Sequence, residues 1–341
     1  MSTGLDPERE LGAQPRRWLV TGAAGFIGSH LVERLVALGQ VVVALDDLSS
    51  GSRANLAAAG RAARGPGRVE FVPGDVRDVV LVTRAAAGCD VLLHQAGLGS
   101  VPRSLQEPER SFAVNAEGTW CALVAARAAG VRRAVLASSS SVYGDSTESP
   151  QHEERLGRPL SPYAAAKRTA ELAAEALARS GGPEVVALRY FNVFGPRQPA
   201  DGPYAAVVVR WAVRLLAGEE PELFGGPERA RDFTPVATVV AANLRAALVP
   251  LAEPWRVMNV GTGRATSLGD LHAALLAAVQ RHRPDAPQGL LRRPERPGDR
   301  GSSLASVARL EHELGLVPPA ALAPFLAELV AALVDSRRRD P

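Results

Sequence analysis

The chain has almost no lysine. Of its 39 lysine and arginine side chains, only Lys167 is a lysine. Cysteine is nearly as scarce. Cys89 and Cys121 lie far apart and form no metal-ligand pattern, so a reducing compartment is expected and a structural metal is not. No run of 18 or more apolar residues occurs, which excludes a spanning helix of ordinary length. Residues 1–17 hold no apolar core segment, so they do not read as a signal peptide. Aromatic residues make up 5%, and no basic run is interleaved with them. The pI of about 9.2 with a net charge of only +3 reports arginine in place of lysine, and nucleic acid is not an expected partner. These absences leave a soluble cytoplasmic protein as the simplest expectation.

Apolar material is ample: 46% of 341 residues, enough for one large core or two moderate ones. Short runs apolar on both faces recur at WLVT (18–21), VVVAL (41–45), VEFV (69–72), VLLHQ (91–95), AVLAS (134–138) and VVALR (185–189). Helical stretches separate them, the first running from Phe26 to Leu38. The pattern predicts an α/β fold, a doubly wound parallel Rossmann sheet covered by helices on both sides. Proline and glycine become frequent over 195–235 and 283–301. The expected division is a mobile tail (1–17), a dinucleotide-binding domain (18–190 plus 236–260), and a smaller C-terminal α/β substrate-binding domain (191–235 plus 261–341). The low-complexity segment 56–67 reads as a surface excursion.

VTGAAGFIGSH follows the first strand and opens the first helix, with Gly22, Gly25 and Gly28 in GxxGxxG spacing. The first glycine permits a tight turn, the second a close approach of backbone to a pyrophosphate, and the third close helix packing. The helix N-terminus offers its free N–H groups to the phosphates. The second strand ends in Asp46, 18 residues past Gly28, where a carboxylate bonds ribose hydroxyls and repels a 2′-phosphate. NAD is therefore expected over NADP. Asp75 in GDVRD closes the third strand, placed either to reach an adenine or to cap the next helix.

Tyr163 and Lys167 are four apart, on one face of a helix. A phenol with a pKa near 10 is a poor base at neutral pH. A nearby ammonium favours the phenolate, and such shifts run to about 1–3 units. A compact ammonium on a slender stem suits this task better than a broad guanidinium fork. That accounts for one lysine persisting in a chain that otherwise uses arginine.

With TGAAGFIG and this Tyr–Lys pair, the chain resembles the extended short-chain dehydrogenase/reductases, and within them the nucleotide-sugar 4-epimerases. The matching stretches also include HQAGLGSVPRS, SSSSVYGD, LRYFNVFGPRQ, GPYAAVVVRW, RDF and RPGD, spread from about residue 18 to 306. The first and fourth of these resemble enzymes acting on UDP-N-acetylhexosamines.

The resemblance implies a catalytic set of Ser139, Tyr163 and Lys167. It extends the NAD contacts to Phe26, Ile27, Asp47, Ser49, Gly51, Val76, Gln95, Ala96, Gly97, Asn115, Tyr190 and Val193. It places Ser100, Ser140, Asn192, Gln198, Ala206, Val207, Arg231, Arg296, Asp299 and Ser303 on the UDP-sugar. Asn192 would contact the diphosphate region, and the arginines would hold phosphates through their forked donors. Ser140 and Ser141 stand where related 4,6-dehydratases carry Asp and Glu, which argues against loss of water. Ser303 stands where relatives restricted to plain hexoses carry a large aromatic residue, so an acetamido group has room.

The implied reaction is C4 epimerisation of UDP-GlcNAc/UDP-GalNAc, and of UDP-Glc/UDP-Gal beside it, through a 4-keto sugar. Pro235, Thr238, Gly301 and Ser306 depart from the family pattern. A UDP-uronate 4-epimerase, a decarboxylase and a silent NAD(H)-binding regulator are the alternatives. The alanine-rich stretches 116–129 and 164–178 are the expected helices of a homodimer.

Overall fold

All six apolar runs are parallel strands in the computed structural model, which describes residues 6–200, 206–294 and 303–339. They are β1 (Arg17–Thr21), β2 (Val41–Asp46), β3 (Arg68–Pro73), β4 (Val91–His94), β5 (Arg133–Ser139) and β6 (Glu184–Tyr190). A seventh strand, Trp255–Val260, joins beside β6. From that edge the order is seventh strand, β6, β5, β4, β1, β2, β3.

Alternation along each strand sends side chains to opposite faces. Trp18 and Val20 enter one apolar cluster, and Leu19 the other. The helix Phe26–Ala37 covers the first face, with Leu31, Leu35 and Val36 buried, and the helix Gly118–Ala128 covers the second with Ala122 and Leu123. The runs are apolar on both faces because both faces are covered.

A third cluster gathers Phe194, Trp211, Leu215, Leu223, Phe233, Leu271, Leu275, Leu326 and Val330. It is built on the helices Val207–Ala217, Leu268–Gln280 and Ala323–Arg339. The helix Ala308–Leu314 departs from the expected division. Its Leu310 and Leu314 enter the first cluster, on the sheet rather than in the third cluster.

Two expectations are corrected. The supposed mobile tail is folded from residue 6. Pro7–Ala13 is a helix whose Asp6 side chain accepts the N–H groups of Glu8 and Arg9, and Leu11 is fully buried. Buried Gln40 ties the segment down, donating to the Leu11 carbonyl at 2.8 Å and accepting from Arg16 N at 2.8 Å. The start signal, Asp before Pro, was present, but a single apolar anchor in a polar run shows no period. The excursion at 56–67 overlaps a helix, Arg53–Gly60, that Ser52 caps and that buries Leu56 and Ala59. Among the described residues, no helix is long and apolar enough to cross a membrane.

Candidate active site

A cavity of about 920 Å³ opens at the carboxyl ends of the strands, where the order reverses between β1 and β4. Its size lies near the top of the range for ligand pockets, about 1,000 Å³.

The glycine loop forms one end. Gly22 has φ +64°, and a Cβ there would sit 2.6 Å from the Ala96 nitrogen. A Cβ on Gly28 would sit 2.0 Å from the Gly22 carbonyl oxygen. Only hydrogen fits at either position. Asp46 accepts Ala24 N and Leu48 N, both at 2.8 Å. Burial pushes this carboxyl above its usual range, and the two N–H groups oppose the shift. Gly22, Gly25, Phe26, Ile27, Gly28, Asp46, Asp47 and Ser49 all line the cavity. Gly51 does not; it packs against Ala24, where a Cβ would meet the carbonyl carbon at 2.7 Å.

Asp75 and Val76 line the same end. Asp75 is held by Arg77, whose Nε lies 3.0 Å from each carboxylate oxygen, and that bond draws its pKa down. The next helix is capped by Asp78, which accepts Leu81 N at 3.0 Å. The capping alternative for Asp75 is thereby excluded. Gln95, Tyr190 and Asn243 close a ring of hydrogen bonds on the inner wall, at 3.1, 2.9 and 3.1 Å. Val193 stays off the wall; its carbonyl accepts Gln198 Nε2 at 3.0 Å.

The helix Pro162–Arg179 starts at Ser161, whose hydroxyl accepts Ala164 N, with Pro162 in its first turn. Tyr163 is half-buried there and Lys167 is 5% exposed one turn on. Both line the cavity. Lys167 Nζ donates to the Ala137 carbonyl at 2.8 Å. A Cβ on Gly97 would lie 3.3 Å from this nitrogen and 2.8 Å from Asn115 Oδ1. Asn115 stands in a π-helical turn, Ala113–Glu117, and its buried Oδ1 has no partner among the described residues. Burial pushes Lys167 down to about 8, with Glu171 opposing.

The phenol does not follow the expectation. Burial holds Tyr163 above its ordinary value, and a hydrogen bond with the Ser139 hydroxyl opposes the shift. The ammonium's hydrogen bond goes to the Ala137 carbonyl, and burial sets the direction of the phenol's shift. Ser139 Oγ accepts Ser141 N at 3.1 Å and Ser141 Oγ at 3.0 Å. The 3₁₀ turn Ser140–Tyr143 leads the chain away, so the cavity wall is Ala137 and Ser138 rather than Ser139 and Ser140.

At the other end, Ser100, Asn192, Gln198, Ala206 and Val207 line the cavity. Asn192, at φ +30°, donates from Nδ2 to the Asp232 carbonyl at 2.9 Å and to Ser303 Oγ at 3.1 Å. Both amide hydrogens are committed, so a diphosphate contact requires one to be released. Arg231 lies off the wall, paired with Thr266 across a two-residue ladder and bridged to Ser303. Arg296, Asp299 and Gly301 lie outside the described residues. Buried Asp232 accepts Thr262 N, Thr262 Oγ1, Gly263 N and Ala305 N at 2.7 to 3.2 Å. Of the departures, Thr238 is buried in the helix Val236–Leu248, and Ser306 gives its carbonyl to Asn259.

Sequence reasoning missed Arg77, Asn243 and the Ala137 carbonyl. Arg77 was legible two residues after Asp75; a backbone acceptor leaves no sequence signal.

The residues present fit a dinucleotide. Two glycines leave no room for side chains where the loop turns, carboxylates stand at the ends of β2 and β3, and an orphaned amide oxygen and the lysine both lie beside Gly97.

His94 lies beneath the lysine, 1% exposed, between Thr21 Oγ1 at 2.8 Å and Thr119 Oγ1 at 3.0 Å. Burial first, then the Lys167 charge, pushes its pKa down to about 3. The unfolded imidazole protonates near 6.5 while the folded one stays neutral, so the unfolded state binds more protons in this window. Stability therefore falls as pH drops from about 6.5 toward about 3. At pH 5 His94 is expected to cost about 2 kcal/mol relative to neutral pH. Urea midpoints at both pH values check this: His94→Gln should show a flatter dependence than the natural chain.

Residues 18–261 match the NAD dependent epimerase/dehydratase family. A UDP-glucose 4-epimerase of Mycolicibacterium smegmatis is 40% identical over 316 residues, covering 92% of this chain and 97% of that protein. The solved UDP-N-acetylglucosamine 4-epimerase of Methanobrevibacter ruminantium M1, in complex with UDP-N-acetylmuramic acid, superposes with a TM-score of 0.86 at 32% identity, covering 95% and 99%. The UDP-glucose 4-epimerase of Thermus thermophilus, complexed with NAD, gives 0.79 at 35%, covering 93% and 99%.

Proposed function

Because the chain belongs to the NAD dependent epimerase/dehydratase family, whose cofactor is NAD, we propose that it is a UDP-sugar 4-epimerase. The proposed substrates are UDP-GlcNAc and UDP-GalNAc, with UDP-Glc and UDP-Gal as a second pair. One observation carries the reading. Among the described residues, the carboxylates lining the cavity are Asp46, Asp47 and Asp75, all at the ends of β2 and β3. Beside Tyr163 stand hydroxyls and an ammonium. Dehydration at the neighbouring carbon needs an acid and a base there; removal and return of hydrogen at one carbon does not.

Gly22, Gly25, Asp46, Asp75, Gly97 and Lys167 would hold NAD, which when bound supplies a hydride acceptor and donor and a positive ring. Tyr163 takes the proton of the sugar 4-hydroxyl. The Ser139 hydroxyl, its oxygen accepting from Ser141, directs its proton toward the phenolate oxygen. After the 4-keto sugar turns over, hydrogen would return to C4 on the opposite face while Tyr163 gives its proton back to the 4-oxygen. Ser303 leaves room for an acetamido group, and its bond to Asn192 sets that wall. A second copy covers the exposed apolar face of two adjacent helices, where Trp120 is 45% and Leu172 53% exposed.

The test is a panel of UDP-sugars incubated with the purified protein, with NMR readout of the C4 configuration. UDP-GlcNAc and UDP-GalNAc should interconvert, and Ser303→Tyr should cut that activity about tenfold or more against UDP-Glc and UDP-Gal, since one lost group in a pocket is worth about 1–3 kcal/mol. Conversion of a uronate alone, or tightly bound NAD with no turnover, would replace the proposal.

A further inference from the structure

Behind the cavity wall lies a charge that the proposed reaction does not use. Glu171 follows Lys167 by four residues and Tyr163 by eight, so the three share a helix face. It is 3% exposed. Its Oε1 accepts the Ser138 hydroxyl at 2.6 Å and Arg189 Nε at 2.8 Å. Its Oε2 accepts Arg189 Nη2 at 2.7 Å and Arg168 Nη1 at 3.3 Å. Arg189 is 1% exposed, and its Nη1 donates to Tyr143 Oη at 3.2 Å and to the Glu153 carbonyl at 2.7 Å.

Desolvation makes such a pair a weak source of stability, because apolar residues of similar volume do as well or better. Its position gives it another use. Ser138 sits between Ala137, whose carbonyl takes the Lys167 ammonium, and Ser139, which reaches Tyr163. One carboxylate thus pins the strand end to the helix at the point where the reacting groups meet.

We propose that Glu171, clamped by Arg189, is a positioning residue that fixes the Lys167 ammonium and the Ser139 hydroxyl against Tyr163. The inference rests on the catalytic reading of Tyr163 and Lys167 given above. Around Lys167 the titratable and charged groups are Tyr163, Glu171 and, on the far side of Glu171, Arg168 on its own helix, His94 from β4, and Arg189 from β6 behind Glu171. His94 is neutral, and Asn115 and Gly97 bring no charge. Glu171 is the anion of this set, and it opposes the effect of burial on the lysine.

The single lysine makes the test direct. Protein grown with ¹³Cε-lysine gives one side-chain resonance, whose titration is read without any nucleotide sugar. Glu171→Gln keeps the shape and the Ser138 bond but removes the charge. Its lysine midpoint should fall by about one unit. In turnover, kcat should drop about tenfold with KM unchanged, and the alkaline limb should move down with the midpoint. A natural midpoint in folded Glu171→Gln overturns the proposal, even where thermal stability has fallen. Should Gln leave Arg189 too costly to bury, Glu171→Met with Arg189→Met strands no charge; because anion and cation are both removed the midpoint should fall by less, and a natural midpoint together with a natural kcat is again fatal. Failure of every UDP-sugar to react would refute the proposed function without touching this titration.

Discussion

Tyr163→Phe is expected to lower turnover of every accepted UDP-sugar by about three orders of magnitude, while bound NAD is retained. General acid–base groups contribute about 10²- to 10⁴-fold, and in the proposed reaction one oxygen serves as base in the first half-reaction and as acid in the second. Among the described residues, the nearest candidates are not free to replace it. Ser139 has its oxygen occupied by two donors from Ser141, and His94 is enclosed by two threonines. NAD should stay because the glycine loop and the carboxylates at the ends of β2 and β3 are untouched. Steady-state rates together with the nucleotide content of the purified variant check both halves. Turnover within about tenfold of the natural chain would remove Tyr163 from the chemistry.

Lys167→Arg should cost about two orders of magnitude, although it preserves the charge. Sterics decide the outcome. The ammonium sits 2.8 Å from the Ala137 carbonyl, and a Cβ on Gly97 would lie 3.3 Å from it. A planar fork with five donors does not fit that gap without displacing the Gly97 backbone. Charge matters as well, because the phenol is held above its ordinary value by burial. It becomes a base only where positive charge faces it, and each pKa unit is worth about 1.36 kcal/mol. Lys167→Met, which removes the charge and keeps the stem, should be at least as damaging. Rates for the two variants at neutral pH separate fit from charge.

The sheet was legible because its strands are buried on both faces, and continuous apolar runs between helices have few other uses. The seventh strand was harder to see. WRVMNV carries an arginine and an asparagine, and both are engaged: half-exposed Arg256 pairs with Glu313, and buried Asn259 holds the Gln151 and Ser306 carbonyls. The cofactor end could be read from glycine spacing and Asp46, since steric need there dictates residue type. The sugar end could not. Asn192, Arg231 and Ser303 are placed by backbone pairing and by Asp232, contacts between segments far apart in the chain. The direction of the Tyr163 shift departs from expectation for a related reason: a four-residue spacing shows that two side chains share a face, but not how deeply they are buried or which acceptor the ammonium chooses. Glu171 and Arg189 were within reach. An arginine at the end of the apolar run VVALR needs a buried anion, and Glu171 continues the Tyr163–Lys167 face.

Burial of the only lysine leaves the exterior of this protein without side-chain amines; its surface cations are guanidiniums. Among side chains, acylating and imine-forming reagents therefore find one ammonium, at the bottom of the cleft and already softened toward neutrality. Amine-directed tethering or cross-linking through a side chain would act as an affinity label for the cleft itself.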